Sequence, residues 1–487
     1  MKKQKQKKKK KKNRIWHWIK THPKDSLLYT LLFTLLITIA GDLCVTKIQK
    51  HIILNTFYSR PYVTLDSDYT QVFQLSKEVP NLEYSINESD WEELKTTAIV
   101  FGGSHGKLLL RGKNKIGTNG ANISFATDAN VICTGDISTL IDYENYKETS
   151  TFKANFKQLF LNCSQLIITP ELTPKNLADS CYYEMFSGCT SLKIAPELPA
   201  DSLSKNCYSY MFYGCSSIEK APELSAVNLA DSCYYGMFEN CSSLKYIPVI
   251  KAKNMNEYCF SYMFKGCTSL VTACELPAEN MAEGCYSYMF SGCSSLIIAP
   301  NLPAEKLAKN CYSHMFSNCT SLFVTPPLPA KNLAEGCYSS MFYGCSSLGK
   351  APVLPAEKLA PHCYSSIFRG CTSLDEITIA TIELPLGYSL GLYIFALSKP
   401  SNHGILSINK QAKWIDDSYG IKGWDIKLID KKEIEHEVEK QQRLHNSFLD
   451  HYNRKNNNRI TNHGHAIEIK ATPRIRTISN DSILQNQ

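Results

Sequence analysis

The chain has 487 residues, enough for several structural units, with 44% hydrophobic and 20% charged side chains. Its formal net charge is +8, but residues 1–24 hold twelve Lys and Arg and no Asp or Glu, which leaves the remainder at −4. The basic balance is therefore a tail, and it excludes a nucleic-acid-binding face spread over the chain.

The first 25 residues form that basic tail. Residues 26–45 follow as an uncharged, strongly apolar stretch with Asp42 near its outer end. It has about the 20 residues that a helix needs to cross a bilayer. The polybasic flank stays cytoplasmic by the positive-inside rule, which places everything after Val45 on the far side. A cleaved signal peptide is the competing reading, with Thr38-Ile39-Ala40 as its cleavage site. The long basic lead favours an uncleaved signal anchor. Cys44, preceded by Gly41-Asp42-Leu43, makes a poor lipobox.

Residues 49–150 alternate short apolar stretches with Gly, Asn and Asp clusters, as in Ala98-Ile-Val-Phe101-Gly-Gly and Lys107-Leu-Leu-Leu-Arg111-Gly. This is the pattern of a small antiparallel β domain, placed to cover the first turn of whatever follows. Gly102-Gly103-Ser104-His105-Gly106 lacks the Lys-Ser/Thr ending of a phosphate loop and the spacing of a nucleophile elbow, so it reads as a turn.

From Thr151 to Leu374 one 26-residue phrase repeats nine times without insertion or deletion. One copy reads Cys285-Tyr286-Ser-Tyr-Met289-Phe290-Ser-Gly292-Cys293-Ser-Ser-Leu296, then Ala299-Pro300 and Leu302-Pro303-Ala304. Phe recurs from Phe160 to Phe368 and Cys from Cys163 to Cys371, and a second Cys column runs from Cys181 to Cys363. A fixed period of this length marks a solenoid, each repeat one coil stacked on the next. We number the coils 1 to 9 by their Phe, from Phe160 to Phe368. Cys181, Met185, Phe186, Cys189 and Leu192 in coil 2, like Cys285, Met289, Phe290, Cys293 and Leu296 in coil 6, are the expected core. Their i, i+4, i+8 spacing predicts a short α-helix. A Gly or Asn before each second Cys, from Asn162 to Gly370, is placed to end it in the left-handed conformation. A short strand such as residues 295–299 then runs to a Pro.

Twenty cysteines in an exported chain normally suggest disulfides, yet seventeen fall in two columns of the repeat. Equivalent cysteines of stacked coils point the same way, whereas a disulfide needs its Cβ atoms facing each other. Buried free thiols are the expectation. No metal is expected either: His463 and His465 lie in a polar tail without third and fourth ligands, and His314 and His362 sit in single coils. No cofactor and no catalytic residue is assigned. After residue 378 the period breaks, with Ile394-Phe395 one residue out of phase, and residues 379–430 read as a C-terminal cap. Residues 431–487 read as a charged helix with a thin apolar stripe leading into an Asn-rich segment. The preferred reading is a solvated, partly disordered tail, and the alternative is a partner-binding segment.

The phrase Cys-Tyr-x-x-Met-Phe-x-Gly-Cys-Ser/Thr-Ser-Leu, followed by Ala-Pro-x-Leu-Pro-Ala, resembles the 26-residue repeat of the BspA-like leucine-rich-repeat bacterial surface proteins. The stretch from Leu82 through Trp91 to Arg111 resembles the small β domain that precedes those repeats. The piece with Gly404, Trp414, Gly420, Gly423 and Trp424 resembles their C-terminal cap. The resemblance implies an α/β solenoid, a leucine-rich-repeat-like stack of about nine 26-residue strand-helix coils behind a small antiparallel β domain. It also implies cell-surface display with adhesion or protein binding, and carries no catalytic residue. The basic tail with its anchor and the extension after Asp430 depart from the family pattern.

A ligand should touch columns where residue identity varies. The two positions after each repeat Leu hold Val271-Thr272, Ile297-Ile298 and Phe323-Val324 in coils 5 to 7, against Lys193, Glu219-Lys220, Lys245 and Lys350 in outer coils. If Val271, Ile297, Ile298, Phe323 and Val324 point outward, they form an apolar patch between charged ends. If one of each pair points inward, it only fills the core. Tyr210, Tyr262, Tyr288 and His314, with Tyr213 and Tyr343, form a second candidate column. The resulting expectation is a membrane-anchored surface scaffold that binds a protein or glycan and performs no catalysis. A passive envelope spacer, and less so an enzyme in the β domain, are the alternatives.

Overall fold

The computed structural model describes residues 60–95, 98–384, 404–414 and 424–462. The expected basic tail and membrane anchor, Ile394-Phe395, and His463 with His465 lie outside them. Among the described residues no helix is long and apolar enough to cross a membrane.

Alternating apolar residues build the N-terminal β unit. Strands β1 (Val63–Asp66), β2 (Gln71–Leu75), β3 (Leu82–Ile86), β4 (Glu92–Glu93), β5 (Ile99–Phe101), β6 (Leu108–Gly112), β7 (Ile123–Phe125) and β8 (Val131–Thr134) form two sheets. One has the order β4-β3-β6-β1-β8-β9 and the other β5-β2-β7, where β9 (Leu166–Ile168) belongs to coil 1. Every pairing within the unit is antiparallel, but β8 pairs with β9 in parallel, Val131 opposite Leu166. The β unit thus supplies the parallel edge on which the repeats begin. Its sequence landmarks meet in one cluster. The Arg111 guanidinium lies 3.9 Å from the Trp91 ring centroid and 4.2 Å from that of Tyr143, and pairs with Glu83 at 2.7 Å.

The repeats stack at the expected 26-residue interval. Isolated parallel bridges join Ile194 to Lys220, Lys220 to Tyr246, Thr272 to Ile298, Ile298 to Val324 and Lys350 to Glu376. The Phe column is one file of stacked rings from Phe160 to Phe368, with centroids 5.3 to 5.9 Å apart. A second file runs beside it from Phe156 through Tyr182 to Tyr364, interrupted by Phe260. The ten core residues expected in coils 2 and 6 are all fully buried.

The expected strand-helix coil is corrected on both halves. In the middle coils the strand is a single bridge per coil, and the period-four segment is not an α-helix. In coil 2 the amides of Cys181, Tyr183, Met185, Ser187 and Cys189 donate to carbonyls three residues back. Those of Ser180, Tyr182, Glu184, Phe186 and Gly188 donate instead to Lys205, Cys207, Ser209, Met211 and Tyr213 of the next coil. Every fourth residue is left-handed, with φ of 56° at Ser180, 51° at Glu184 and 74° at Gly188. The segment is a train of tight turns. An α-helix satisfies its own amides at i−4, so it would have no regular donors left for a neighbour. The train gives up half its internal bonds and gains a lateral ladder. Its four-residue period puts apolar side chains at i, i+4 and i+8, which is why it imitates a helix in the sequence.

All nineteen described cysteines are free and buried. In the column from Cys163 to Cys371 each thiol also donates to a carbonyl of the preceding layer. Cys163 reaches the Ile123 oxygen at 3.2 Å, Cys267 the Phe238 oxygen at 3.2 Å and Cys371 the Phe342 oxygen at 3.0 Å. The column therefore needs a small apolar side chain that can also donate weakly.

Beyond coil 9 the ladder continues through β10 (Glu376–Ile379), β11 (Gly404–Asn409) and β12 (Trp424–Ile429), all parallel. Gly404 lies under the Trp424 ring, where an added Cβ would come within 2.7 Å of it. The Trp414 indole N–H donates to the Thr381 oxygen at 3.0 Å. The tail expected to be a solvated extension begins instead as helix α1 (Lys431–Asn462), which folds back onto the repeats. It starts with a capping box: the Glu433 amide donates to Asp430 Oδ1 at 3.0 Å and the Asp430 amide to Glu433 Oε2 at 2.8 Å.

Two outcomes test this architecture. Phe264→Ala removes one ring from the middle of the file and is expected to cost about 3–5 kcal/mol, read as a lower urea midpoint. Burial pushes every thiol of the Cys163 to Cys371 column up, those of Cys163 and Cys293 to about 12. A disulfide-exchange reagent at pH 8 should then find almost no thiolate in the native stack, and react with these positions only after urea opens it. Rapid native labelling of Cys267 would contradict the buried column.

Candidate interaction surface

The variable positions after each repeat Leu occupy two adjacent columns. In the first, Phe323 is 58% exposed while Val271 and Ile297 are half-buried. In the second, Ile298 is buried and Val324 half-buried, both within the parallel bridges of coils 5 to 7. The five residues therefore do not form one outward patch: Ile298 is buried and only Phe323 is fully outward, whereas in coils 2 to 4 both positions are exposed, as Lys193 with Ile194 and Lys245 with Tyr246. Charged neighbours flank the patch as pairs across coils, Lys245 with Glu219 at 3.2 Å and Lys350 with Glu376 at 2.6 Å.

What the sequence reading missed is the occupant of coils 7 to 9. Helix α1 turns one stripe toward them: Ile434, Glu437, Val438, Gln441, His445 and Leu449 are all at least half-buried. Ile434 joins Val353, Ala380 and Ile429 in a small apolar cluster, with Val438 packed against it. Lys350 Nζ sits between Glu376 and Glu437, at 2.6 and 2.7 Å. The Gln441 amide straddles Pro352, accepting from the Val353 amide at 2.8 Å and donating to the Ala351 oxygen at 2.9 Å. Lys431 pairs with Glu357 at 2.8 Å and Lys331 with Glu435 at 3.8 Å. His445 is 2% exposed, beside the Thr325 backbone, with no well-formed hydrogen bond at either ring nitrogen.

A signal for this docking was present in a column left unread. The position that follows Pro196 of coil 2, and its equivalents, holds Glu197, Glu223 and Glu275 in coils 2, 3 and 5, Val249 in coil 4, and Asn301, Pro327 and Val353 in coils 6 to 8. From coil 6 onward the column carries no charge.

The tyrosine column is a second continuous strip. Tyr210, Tyr262, Tyr288 and His314 all sit at left-handed positions, with φ between 54° and 60°. Tyr262 stacks on Tyr288 with centroids 4.6 Å apart, and Tyr288 on His314 at 4.3 Å. Tyr210 meets Tyr213 and Tyr235 edge-on. Lys265 lies over the Tyr262 ring at 4.9 Å and is paired with Glu239. These rings spend their faces on one another and leave edges to solvent, so the strip covers the layer beneath it. Tyr343, further along, lies under Arg369.

The Gly102 to Gly106 loop is the expected turn, closed by the Gly102 amide on the Gly106 oxygen at 2.7 Å. At Gly102 φ is 80°, and a Cβ would strike the Tyr69 oxygen. Among the described residues no group of three His, Cys, Asp or Glu side chains could hold a metal ion.

Burial pulls the His445 imidazole down from its ordinary value to about 4. Docked α1 thus binds a proton less well than released α1. Docking is fully present above about pH 6.5 and weakens as pH falls from there toward 4, by on the order of 2 kcal/mol at pH 5. Burial raises the Glu437 carboxyl, but the Lys350 ammonium outweighs it and leaves it below the usual value. That pair adds its loss only below about 4.5. Protection factors of the α1 amides, taken against the intrinsic exchange rate at each pH, should fall between pH 7 and pH 5 in the native protein, and His445→Gln should flatten the dependence.

Compared with known proteins, residues 142–263, 261–357 and 312–398 match a model of the BspA type leucine rich repeat region, in six copies. No curated protein matches the chain. The matched stretch covers more than half of the sequence and contains the ring files, the thiol column and the variable columns just described. The chain belongs to the BspA-type leucine-rich repeat family.

Proposed function

We propose that this is an exported, membrane-anchored surface protein whose repeat solenoid is a contact scaffold for a protein or glycan, without catalysis. One observation carries the reading. Inward columns repeat almost without change from coil to coil, while the outward column runs Lys193, Glu219, Lys245, Val271, Ile297, Phe323. Variation confined to the outer surface is what a contact surface requires, and rows of like groups suit extended recognition better than a reaction centre, which needs unlike groups converging. The basic tail and apolar stretch before residue 46 support anchoring with the repeats outside.

Two measurements test it. A protease added to intact cells is expected to cleave the described portion of the chain, and full protection of the repeats overturns the topology. Phe323→Asp and Ile297→Asp are expected to lower capture of the protein by arrays of immobilised matrix proteins and glycans at least tenfold, about 1.4 kcal/mol, with thiol protection unchanged. A passive spacer predicts no change.

A further inference from the structure

The face of coils 7 to 9 already has a ligand, and its chemistry is legible. From α1 it receives an aliphatic residue at i (Ile434), an acid at i+3 (Glu437), an amide at i+7 (Gln441) and an imidazole at i+11 (His445). The face answers with an apolar seat at Val353 and Ala380, the Lys350 ammonium, and the carbonyl and amide on either side of Pro352. Proline has no N–H to offer the ladder, and Gln441 fills that gap with both halves of its amide. The same step recurs as Ala195-Pro196-Glu197, Ala221-Pro222-Glu223 and Ala299-Pro300-Asn301. The column has no charge from coil 6 onward, with Asn301, Pro327, Val353 and Ile379, and before that lacks its glutamate at Val249 of coil 4.

The hold of α1 is suited to release. Among its side chains described, only Ile434 and His445 are fully buried. Val438 and Leu449 are only half-buried, the Gln441 contacts are neutral hydrogen bonds, and the ion pairs weaken with salt. The buried imidazole, lacking a good hydrogen bond, works against docking. Leu444 and Phe448 stay exposed, so the helix leaves much of its apolar surface off the face.

We propose that the face of coils 7 to 9 is a binding surface for amphipathic α-helices, that α1 holds it closed in cis, and that a partner's helix bearing an aliphatic residue, an acid and an amide at i, i+3 and i+7 takes its place. This deepens the contact role proposed above and rests on it. The surface is then self-covered until a competitor, acid or salt frees it, and the apparent affinity for the partner scales with the fraction of molecules in which α1 is undocked.

The test uses the full chain and, as probe, a fluorescently labelled synthetic peptide of residues 430–451. Glu437→Ala with Gln441→Ala weakens α1 without altering the face. By anisotropy this variant should bind the peptide about tenfold or more tighter than the wild type, and adding Lys350→Glu should abolish the gain. His445→Leu, which removes the buried polar group, should bind more weakly than wild type. Equal binding by wild type and opened variant, or a gain that survives Lys350→Glu, overturns the proposal. So does amide exchange showing α1 still docked in the opened variant. Thiol protection reports separately that the stack is intact. If the peptide binds as expected while Phe323→Asp and Ile297→Asp leave surface capture unchanged, the proposed function falls and the helix-binding face stands. Loss of capture without peptide binding sinks only the helix-binding face.

Discussion

Every second amide of each turn train belongs to the neighbouring coil, and the rest of the structure follows from that division. Alternation between i−3 closure and inter-coil donation locks successive coils in a 26-residue register. It stacks the Phe rings in one file and brings each thiol of the Cys163 to Cys371 column under a carbonyl of the preceding layer. A single coil has half of these donors and both of its ring faces unpaired. Stability is therefore a property of the row. The β unit and the β10–β12 sheet matter for the same reason: each extends the parallel ladder at one end of the row.

The same division sets what the surface can vary. Inward positions are fixed by files that tolerate only stackable or small residues. Left-handed positions tolerate a wider range than glycine alone, since Tyr262, Tyr288 and His314 occupy them with their rings stacked on one another. The extended piece after each Leu is the freest part of the coil, and there charged, apolar and aromatic residues succeed each other. On this surface α1 lies on coils 7 to 9, with Lys350 as its ionic anchor.

Much of the stack was legible before any coordinates. The interval, the core residues from Cys181 to Leu296, the left-handed Gly and Asn positions and the free thiols all follow from constraints that act identically in each copy, so the sequence displays them nine times. The helix was misread because Cys181, Met185 and Cys189 obey a four-residue spacing that a turn train and an α-helix share. Spacing reports which side a residue faces and is silent on where its amide donates. Whether one of each variable pair faces inward was left open by the sequence, and the structure decides it, with Ile298 buried and Phe323 exposed.

The sequence by itself determined that equal coils stack, which side chains form their interior, and that the row belongs to the BspA-type leucine-rich repeats, because repetition writes local packing rules into composition and spacing. Only the tertiary structure decided that half the backbone bonds run between coils and that α1 lies on the last of them. Those contacts join residues 25 apart in one case, as Phe264 and Met289 are joined across one register step, and 90 apart in the other, as Gln441 is bonded to Ala351. A contact made once, between segments with different chemistry, leaves no periodic trace in the chain.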